Sequence, residues 1–139
     1  MASLVYDSFW DDLSKGNVVP NTDTYYLMLT TSAYTASKTA HLKRSDVTNE
    51  VTGTGYTAGG NAVTCTVAKN TGTNQETYTF GSVSWPTATI AAAYGVIYKH
   101  RGGLATADEL VAMVDFGGTV TSTGGTFQVT FSSPITIQN

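Results

Sequence analysis

Charged side chains are scarce in this chain of 139 residues. Asp, Glu, Lys and Arg make up 12% of the sequence, against about one quarter in an average soluble domain. Seven Lys and Arg stand against ten Asp and Glu, the formal net charge is -3, and no basic tract is present. Proteins that bind nucleic acid gain much of their affinity by neutralising phosphates with Lys and Arg. The composition therefore argues against nucleic acid as a partner.

Cysteine and histidine are also rare. The single cysteine, Cys65, excludes an internal disulfide and any metal cluster built from cysteines. In the segment AVTCTVA, Val63, Cys65 and Val67 fall on one face of a strand, so we expect a core thiol. The histidines, His41 and His100, have no nucleophile elbow nearby, and no loop has the ligand spacing of a calcium hand. The sequence thus predicts no enzyme activity, no cofactor and no metal site.

The sequence also lacks an apolar run long enough to span a bilayer. Its first residues, MASLVYDSFWDD, carry acids where a secretory signal has basic residues, and they contain no long apolar segment. We therefore expect a protein that is made in a cytoplasm and does not bind a membrane.

Thr, Ser and Gly take the place of the missing charge. Thr is β-branched and fits the pleated surface of a sheet, whereas the Lys, Glu and Gln that usually coat exposed helices are few. A chain of this length suits one domain. We predict a single all-β domain over residues 1–139, an antiparallel β-sandwich or a jelly-roll-like fold, in which residues 24–139 form the sandwich.

One helix is predicted, over residues 3–15, in the segment SLVYDSFWDDLSKG. Ser3 can cap its start and Gly16 its end. Its apolar residues share one face: Val5, Tyr6, Phe9, Trp10 and Leu13. This face either closes one end of the domain or docks on a partner, and Val5, Phe9 and Trp10 are the candidate contacts for the second role.

Alternating apolar residues predict the strands. The predicted strands are YYLMLTT (25–31), NAVTCTVAK, ETYTF, VSW, ATIAAAYGVIYKH (88–100), LVAMVDF (110–116), TFQVTF and ITIQ. Residues 88–100 are apolar on both faces, which is typical of a central strand. Thr106 and Glu109 have the spacing of a capping box, but the apolar run that follows is short and ends in two glycines, so we favour a strand there.

A long polar loop, residues 32–60, contains the segment SDVTNEVTGTGYTAGG. Its glycines give GxGxxxG, one residue longer than the dinucleotide fingerprint, and a strand follows instead of a helix. We interpret them as turn glycines that lead the chain into the sheet. Tyr34 and Tyr56 are expected to be exposed in this loop and are candidate partner contacts, whereas Trp85 is expected in the core.

The remaining charged residues are interpreted as parts of solvated loops and turns. These are the cluster His41, Lys43 and Arg44 with Asp46 beside it, the pair Asp108 and Glu109, and the acids Glu50 and Asp115.

Four segments are distinctive enough to suggest a family: DTYYLMLTTSAYTASKTAH, RSDVTNEVTGTGYTAGGNAV, VSWPTATIAAAYGVIYK and LVAMVDFGG. Together they resemble small virion structural proteins of tailed bacteriophages, a group described as capsid decoration, head-fibre or tail-associated proteins. The resemblance covers nearly the whole chain.

The resemblance implies a virion component without catalytic residues, assembled in the host cytoplasm and present in many copies or as a homo-oligomer. The leading hypothesis is a capsid decoration protein that binds the phage major capsid protein on the outside of the mature head. The alternative is a tail-fibre or head-fibre module that contacts a glycan on the host surface.

Overall fold

The computed structural model describes residues 2–138, and it contains two antiparallel sheets packed together with one short helix near the N-terminus. The elements are β1 (Leu4–Val5), α1 (Asp7–Lys15), β2 (Tyr25–Thr30), β3 (Asn61–Val63), β4 (Cys65–Asn70), β5 (Gln75–Phe80), β6 (Val83–Lys99), β7 (Leu110–Val129) and β8 (Ile135–Gln138). Two short 3-10 turns occur at Arg44–Asp46 and Ala105–Ala107. The predicted all-β sandwich with an N-terminal helix is confirmed.

Strand β6 lies in the middle of the larger sheet. The five-stranded sheet has the order β1-β7-β6-β2-β3, and the three-stranded sheet has the order β4-β5-β8. This position confirms the prediction of a central strand, which followed from apolar residues on both faces of residues 88–100. The segment that resembled a capping box begins no α-helix: Ala105–Ala107 is a single 3-10 turn and β7 follows it.

Strands β6 and β7 are longer than the sequence predicts, because each joins two predicted strands. β6 continues through Pro86 by means of a register shift between Trp85 and Ala88, where Thr87 has a φ of 51°. A bulge of this kind is one of the few places where a sheet accepts proline. β7 likewise runs from the predicted 110–116 strand through the glycine-rich segment into Phe127–Val129.

The helix begins later than predicted. Ser3 does not cap it, because Leu4 and Val5 pair with Met113 and Ala112 of β7. Tyr6 is the residue before the helix, and its N–H donates to the carbonyl of Val111 at 3.0 Å. The backbone N–H and C=O groups of these residues find their hydrogen-bond partners in β7, so they do not need a helical turn to satisfy them. The predicted end is confirmed, since Gly16 adopts a left-handed conformation with φ 77°.

The larger sheet is covered on both faces. One face packs against the smaller sheet and α1, with β2 contributing Tyr25, Leu27 and Leu29. On the other face, Met28 of β2 packs with Val96 of β6 and with residues of the long loop. The loop thus forms a third layer, which explains why a polar segment of nearly thirty residues is ordered without strands of its own.

The segment NAVTCTVAK was predicted as one strand but forms two. β3 pairs with β2 in the larger sheet, β4 pairs with β5 in the smaller sheet, and Thr64 lies between them. The break lets one extended segment change sheets. Cys65 is half-buried and packs against the main core, and burial raises the pKa of its thiol to about 11.

The glycines of the long loop lie directly against strand backbones. A Cβ added to Gly60 would overlap the carbonyl oxygen of Leu27, and one added to Gly55 would lie 2.8 Å from the Cα of Ala88. Both residues also have positive φ, 79° at Gly60 and 84° at Gly55. The interpretation of these residues as turn glycines, without a phosphate-binding role, fits these contacts.

Replacing Gly60 by Ala tests this close approach. We expect Gly60→Ala to lower the free energy of unfolding by at least about 2 kcal/mol, through a clash with β2 and a strained φ. The control is Gly103→Ala, where the added methyl meets nothing within 4 Å and the expected change is within about 0.5 kcal/mol. Urea unfolding followed by tryptophan fluorescence measures both, and equal stabilities would contradict the expectation.

Candidate functional site

The helix does not expose its predicted partner contacts equally. Phe9 is 1% exposed and lies in the core between the sheets. Its ring centroid is 6.0 Å from that of Tyr78 in an edge-on arrangement and 5.1 Å from that of Trp10. The prediction that Phe9 contacts a partner is therefore corrected, because its surface is already used to join α1 to the smaller sheet. Trp10 is only partly buried.

Tyr34 was expected to be exposed, but it is 1% exposed. Its hydroxyl lies 2.8 Å from that of Tyr6 and 2.9 Å from Nδ1 of His41. The N–H of Ser37 donates to the same Nδ1 at 3.2 Å, so this nitrogen acts as an acceptor. Burial raises the pKa of Tyr34. Tyr34 therefore holds the loop against the N-terminal segment and cannot stack on a ligand.

Tyr56 is half-buried, and its hydroxyl is fully engaged. It donates to Oε1 of Glu50 at 2.7 Å and accepts from the N–H of Leu29 at 3.0 Å. Oε1 of Glu50 also accepts from the N–H of Gly59 at 2.6 Å. Burial raises the pKa of the Tyr56 hydroxyl. This chain of bonds fixes the loop on β2, so Glu50 is a structural acid instead of the solvated one predicted. Trp85 is buried as predicted.

The acids Asp108 and Glu109 are buried, contrary to their interpretation as residues of a solvated turn. Asp108 is 0% exposed and Glu109 is 3% exposed. Oδ2 of Asp108 accepts from Nε of Arg44 at 2.7 Å, and Oε2 of Glu109 accepts from Nζ of Lys43 at 3.2 Å. Arg101 binds Glu109 through Nε at 2.8 Å and Nη2 at 2.9 Å. We call these five residues the ionic cluster.

The ionic cluster pairs two carboxylates with three cations. Burial alone would raise the pKa of the Glu109 carboxyl, but hydrogen bonds from Arg101, from its own backbone N–H and from Lys43 outweigh burial, so the pKa is lowered. The guanidinium of Arg44 also lies 5.1 Å from the ring centroid of Tyr98. Because each carboxylate is already neutralised by cations, the cluster is suited to joining the long loop to the β6–β7 connection.

The two histidines are engaged separately. His41 is held by Tyr34 and Ser37, as described above, and the ring of His100 stacks on that of Tyr26 with centroids 3.9 Å apart. Within residues 2–138, neither histidine is hydrogen-bonded to a serine hydroxyl or to the thiol of Cys65. These contacts are those of packed side chains.

An open apolar groove of about 240 Å³ lies between β1 and the segment before β8. Its wall includes Val5, Phe80, Phe131 and Ile135. Val5 thus remains accessible from outside, as does Trp10 in part. Of the five residues predicted to contact a partner, Val5, Trp10 and Tyr56 are partly exposed, and the hydroxyl of Tyr56 is bonded within the fold.

A second groove, of about 370 Å³, is lined by residues from both ends of β7. Phe116 and Phe127 both line it, and their ring centroids are 6.2 Å apart. Residues eleven positions apart on a straight strand would be separated by roughly 35 Å, so β7 bends sharply between them. Beyond Met113 no strand among residues 2–138 pairs with this edge of β7. The edge is therefore free over the bend.

Within the described range, no group of three or more His, Cys, Asp or Glu side chains is arranged to hold a metal ion. None of the helices found between residues 2 and 138 is long and apolar enough to cross a membrane. Comparisons with known proteins found no matching family model, no matching curated protein and no matching solved structure.

Breaking the ionic cluster tests its structural role. We expect Asp108→Asn to lower the free energy of unfolding by about 3 kcal/mol or more, because it leaves the Arg44 charge without its buried partner. The matched control is Asp11→Asn, which breaks the exposed pair with Lys15 and should leave the denaturation midpoint unchanged within error. Thermal unfolding followed by circular dichroism compares them, and a stable Asp108→Asn protein would contradict the assigned role.

Proposed function

We propose that this protein is a non-enzymatic structural component of a tailed-bacteriophage virion, a decoration protein that binds the outer surface of the mature head and stabilises it. The sequence resemblance suggests the virion. The observation that carries the proposal is the open apolar groove beside β1, together with the partly exposed Trp10 of α1. The buried carboxylates of the ionic cluster and the hydroxyls of Tyr34 and Tyr56 are bonded within the fold, so they offer little to a reacting substrate.

The proposed partner is the major capsid protein, met in many copies on one shell. A protein that binds the expanded shell in preference to other states stabilises that shell by mass action. Modest affinity per copy is sufficient when many copies act on one particle. A rigid domain suits this role, since little conformational entropy is lost on docking.

Val5 and Trp10 are the proposed contact residues. Val5 lines the apolar groove beside β1, and Trp10 projects in part from α1. Tryptophan is enriched among the residues that dominate binding energy at protein interfaces. Phe9, Tyr34 and Tyr56 are left out of the proposed surface because the fold uses them.

Immunogold electron microscopy of intact virions tests the proposal. Antibody against this domain should label heads evenly. Label confined to tails or to one vertex would favour the alternative, a fibre module that contacts a host glycan, and would overturn decoration. Particles without label would overturn the virion assignment altogether.

A binding assay on expanded heads that lack this protein tests the contact residues. We expect Trp10→Ala to weaken binding at least about tenfold, the loss of a central aromatic anchor, while the variant stays folded by circular dichroism. The control is Leu104→Ala, which removes an apolar side chain that is 77% exposed on the β6–β7 connection. Equal binding by both variants would remove α1 from the proposed contact.

A further inference from the structure

The free edge of β7 differs from the other sheet edges in length and charge. β3 and β8 are short, and β4 carries Lys69 near its end. Among residues 2–138, no strand pairs with the outer edge of β7 from Val114 to Val129, and Asp115 is the one charged residue in that stretch. Natural proteins block edges with charges or keep them short, since free N–H and C=O groups recruit another strand. A long neutral edge therefore calls for an occupant.

The sequence of this edge is nearly palindromic. Residues 117–125 read GGTVTSTGG, which is the same in both directions apart from Val120 and Ser122. The centre is Thr121. If two copies of this segment pair antiparallel about a two-fold axis through Thr121, glycine faces glycine and threonine faces threonine. Val120 of one copy then faces Ser122 of the other.

Glycines with positive φ lie on both sides of Thr121. Gly117 and Gly118 on one side of Thr121 have φ of 80° and 148°, and Gly124 on the other side has φ of 66°. A Cβ at any of the three would meet nothing within 4 Å, so packing within the chain does not require glycine there. The bend of β7 is thus centred near the middle of the palindrome, between Phe116 and Phe127.

The faces of the segment suit a second strand. Val120 pairs with Ala92, and Thr121 pairs with Ala91. Directly paired residues share a face. Ala92 is buried and Ala91 is exposed, so the threonines lie on the outer face and Val120 lies on the inner one. Val120 is 46% exposed, one of few large apolar side chains left open.

We propose that two copies of this protein associate through antiparallel pairing of their β7 edges, with Thr121 on the two-fold axis. The sheet then continues from one copy into the other. Thr119 faces Thr123 of the second copy, and cross-strand threonine pairs favour a sheet. Pairing is confined to residues 118–124, because the N–H of Asp115 is already bonded to Oγ of Ser3 at 2.8 Å and the N–H of Gly117 to Oδ1 of Asp115 at 2.8 Å.

The bend selects a second copy over a strand from another protein. When the two-fold axis runs along the local sheet normal, the bends of the two β7 strands are concave toward the same face of the joined sheet. Since the bend is centred on the axis, each copy presents the curvature that the other needs, and a straight strand would follow only part of it. The neutral edge also spares two chains of like net charge, -3 each, from close repulsion.

The contact is small. About seven residues per copy, 118–124, is fewer than the roughly 20–30 residues per side of a standard stable interface. We therefore expect a dimer that dissociates on dilution. The inference does not depend on the proposed function, because purified chain suffices to test it and virion labelling does not enter.

Sedimentation velocity over a range of protein concentrations gives the test. The unaltered chain should show a concentration-dependent dimer. The double variant Thr119→Lys, Thr123→Lys places lysine opposite lysine twice and should stay monomeric at every concentration. The control, Thr71→Lys with Thr73→Lys, adds the same charge on the exposed β4–β5 turn and should dimerise as the unaltered chain does.

Two measurements then fix the register. The corresponding variant Thr119→Glu, Thr123→Glu should also be monomeric, and mixing it with the lysine variant should restore a dimer. In a Cys65→Ser background, Thr121→Cys should cross-link to itself with a short bis-maleimide. Thr71→Cys, on the exposed β4–β5 turn and outside the paired segment, should not. A chain that stays monomeric, or a dimer that the lysine pair leaves intact, would overturn the proposal.

Discussion

The pairing of β6 with β7 is the constraint on which the rest of the structure depends. β6 is the middle strand of the larger sheet, so β2 and β3 reach the sheet through one of its edges and β1 reaches it through β7 on the other. The register shifts along the pair curve the ribbon around a core containing Trp85 and Phe127, 6.1 Å apart at their centroids. Bulges increase local twist and bending, so the curvature follows from the backbone pattern of these two strands.

The ionic cluster connects this ribbon to the long loop. Asp108 and Glu109 immediately precede β7, and their cations Lys43 and Arg44 come from the loop. Removing charges from water is costly, and the attraction between them repays that cost when each charge has bonded partners. The bidentate contact of Arg101 meets this requirement. The polar loop is thereby held on an apolar sheet face at two places: through the ionic cluster and through Tyr56.

How much of the fold and of the candidate site could be predicted from the sequence depends on how far apart in the sequence the interacting residues lie. Alternation of apolar residues is local, so β2, β8 and the central position of β6 were predicted correctly, as was the helix end at Gly16. The helix start was wrong because Val5 pairs with Ala112, a partner more than one hundred residues away. The burial of Asp108 likewise depends on Arg44, 64 positions earlier. Composition and local spacing do not indicate which residues form such distant pairs. For Arg44 and Asp108 the only indication in the sequence is that their charges are opposite.

A bent edge also limits how far association can proceed. A straight neutral edge can recruit strands without end, which is the route to aggregation. Pairing about a two-fold axis uses the same edge of both copies and leaves neither available for a third. The glycines set the bend, β1 and Ser3 close one end of the edge, and the symmetry of the segment fixes the centre. A protein that must stay dispersed until it meets its binding site gains from such a contact, because it is weak, specific in register and closed at two copies.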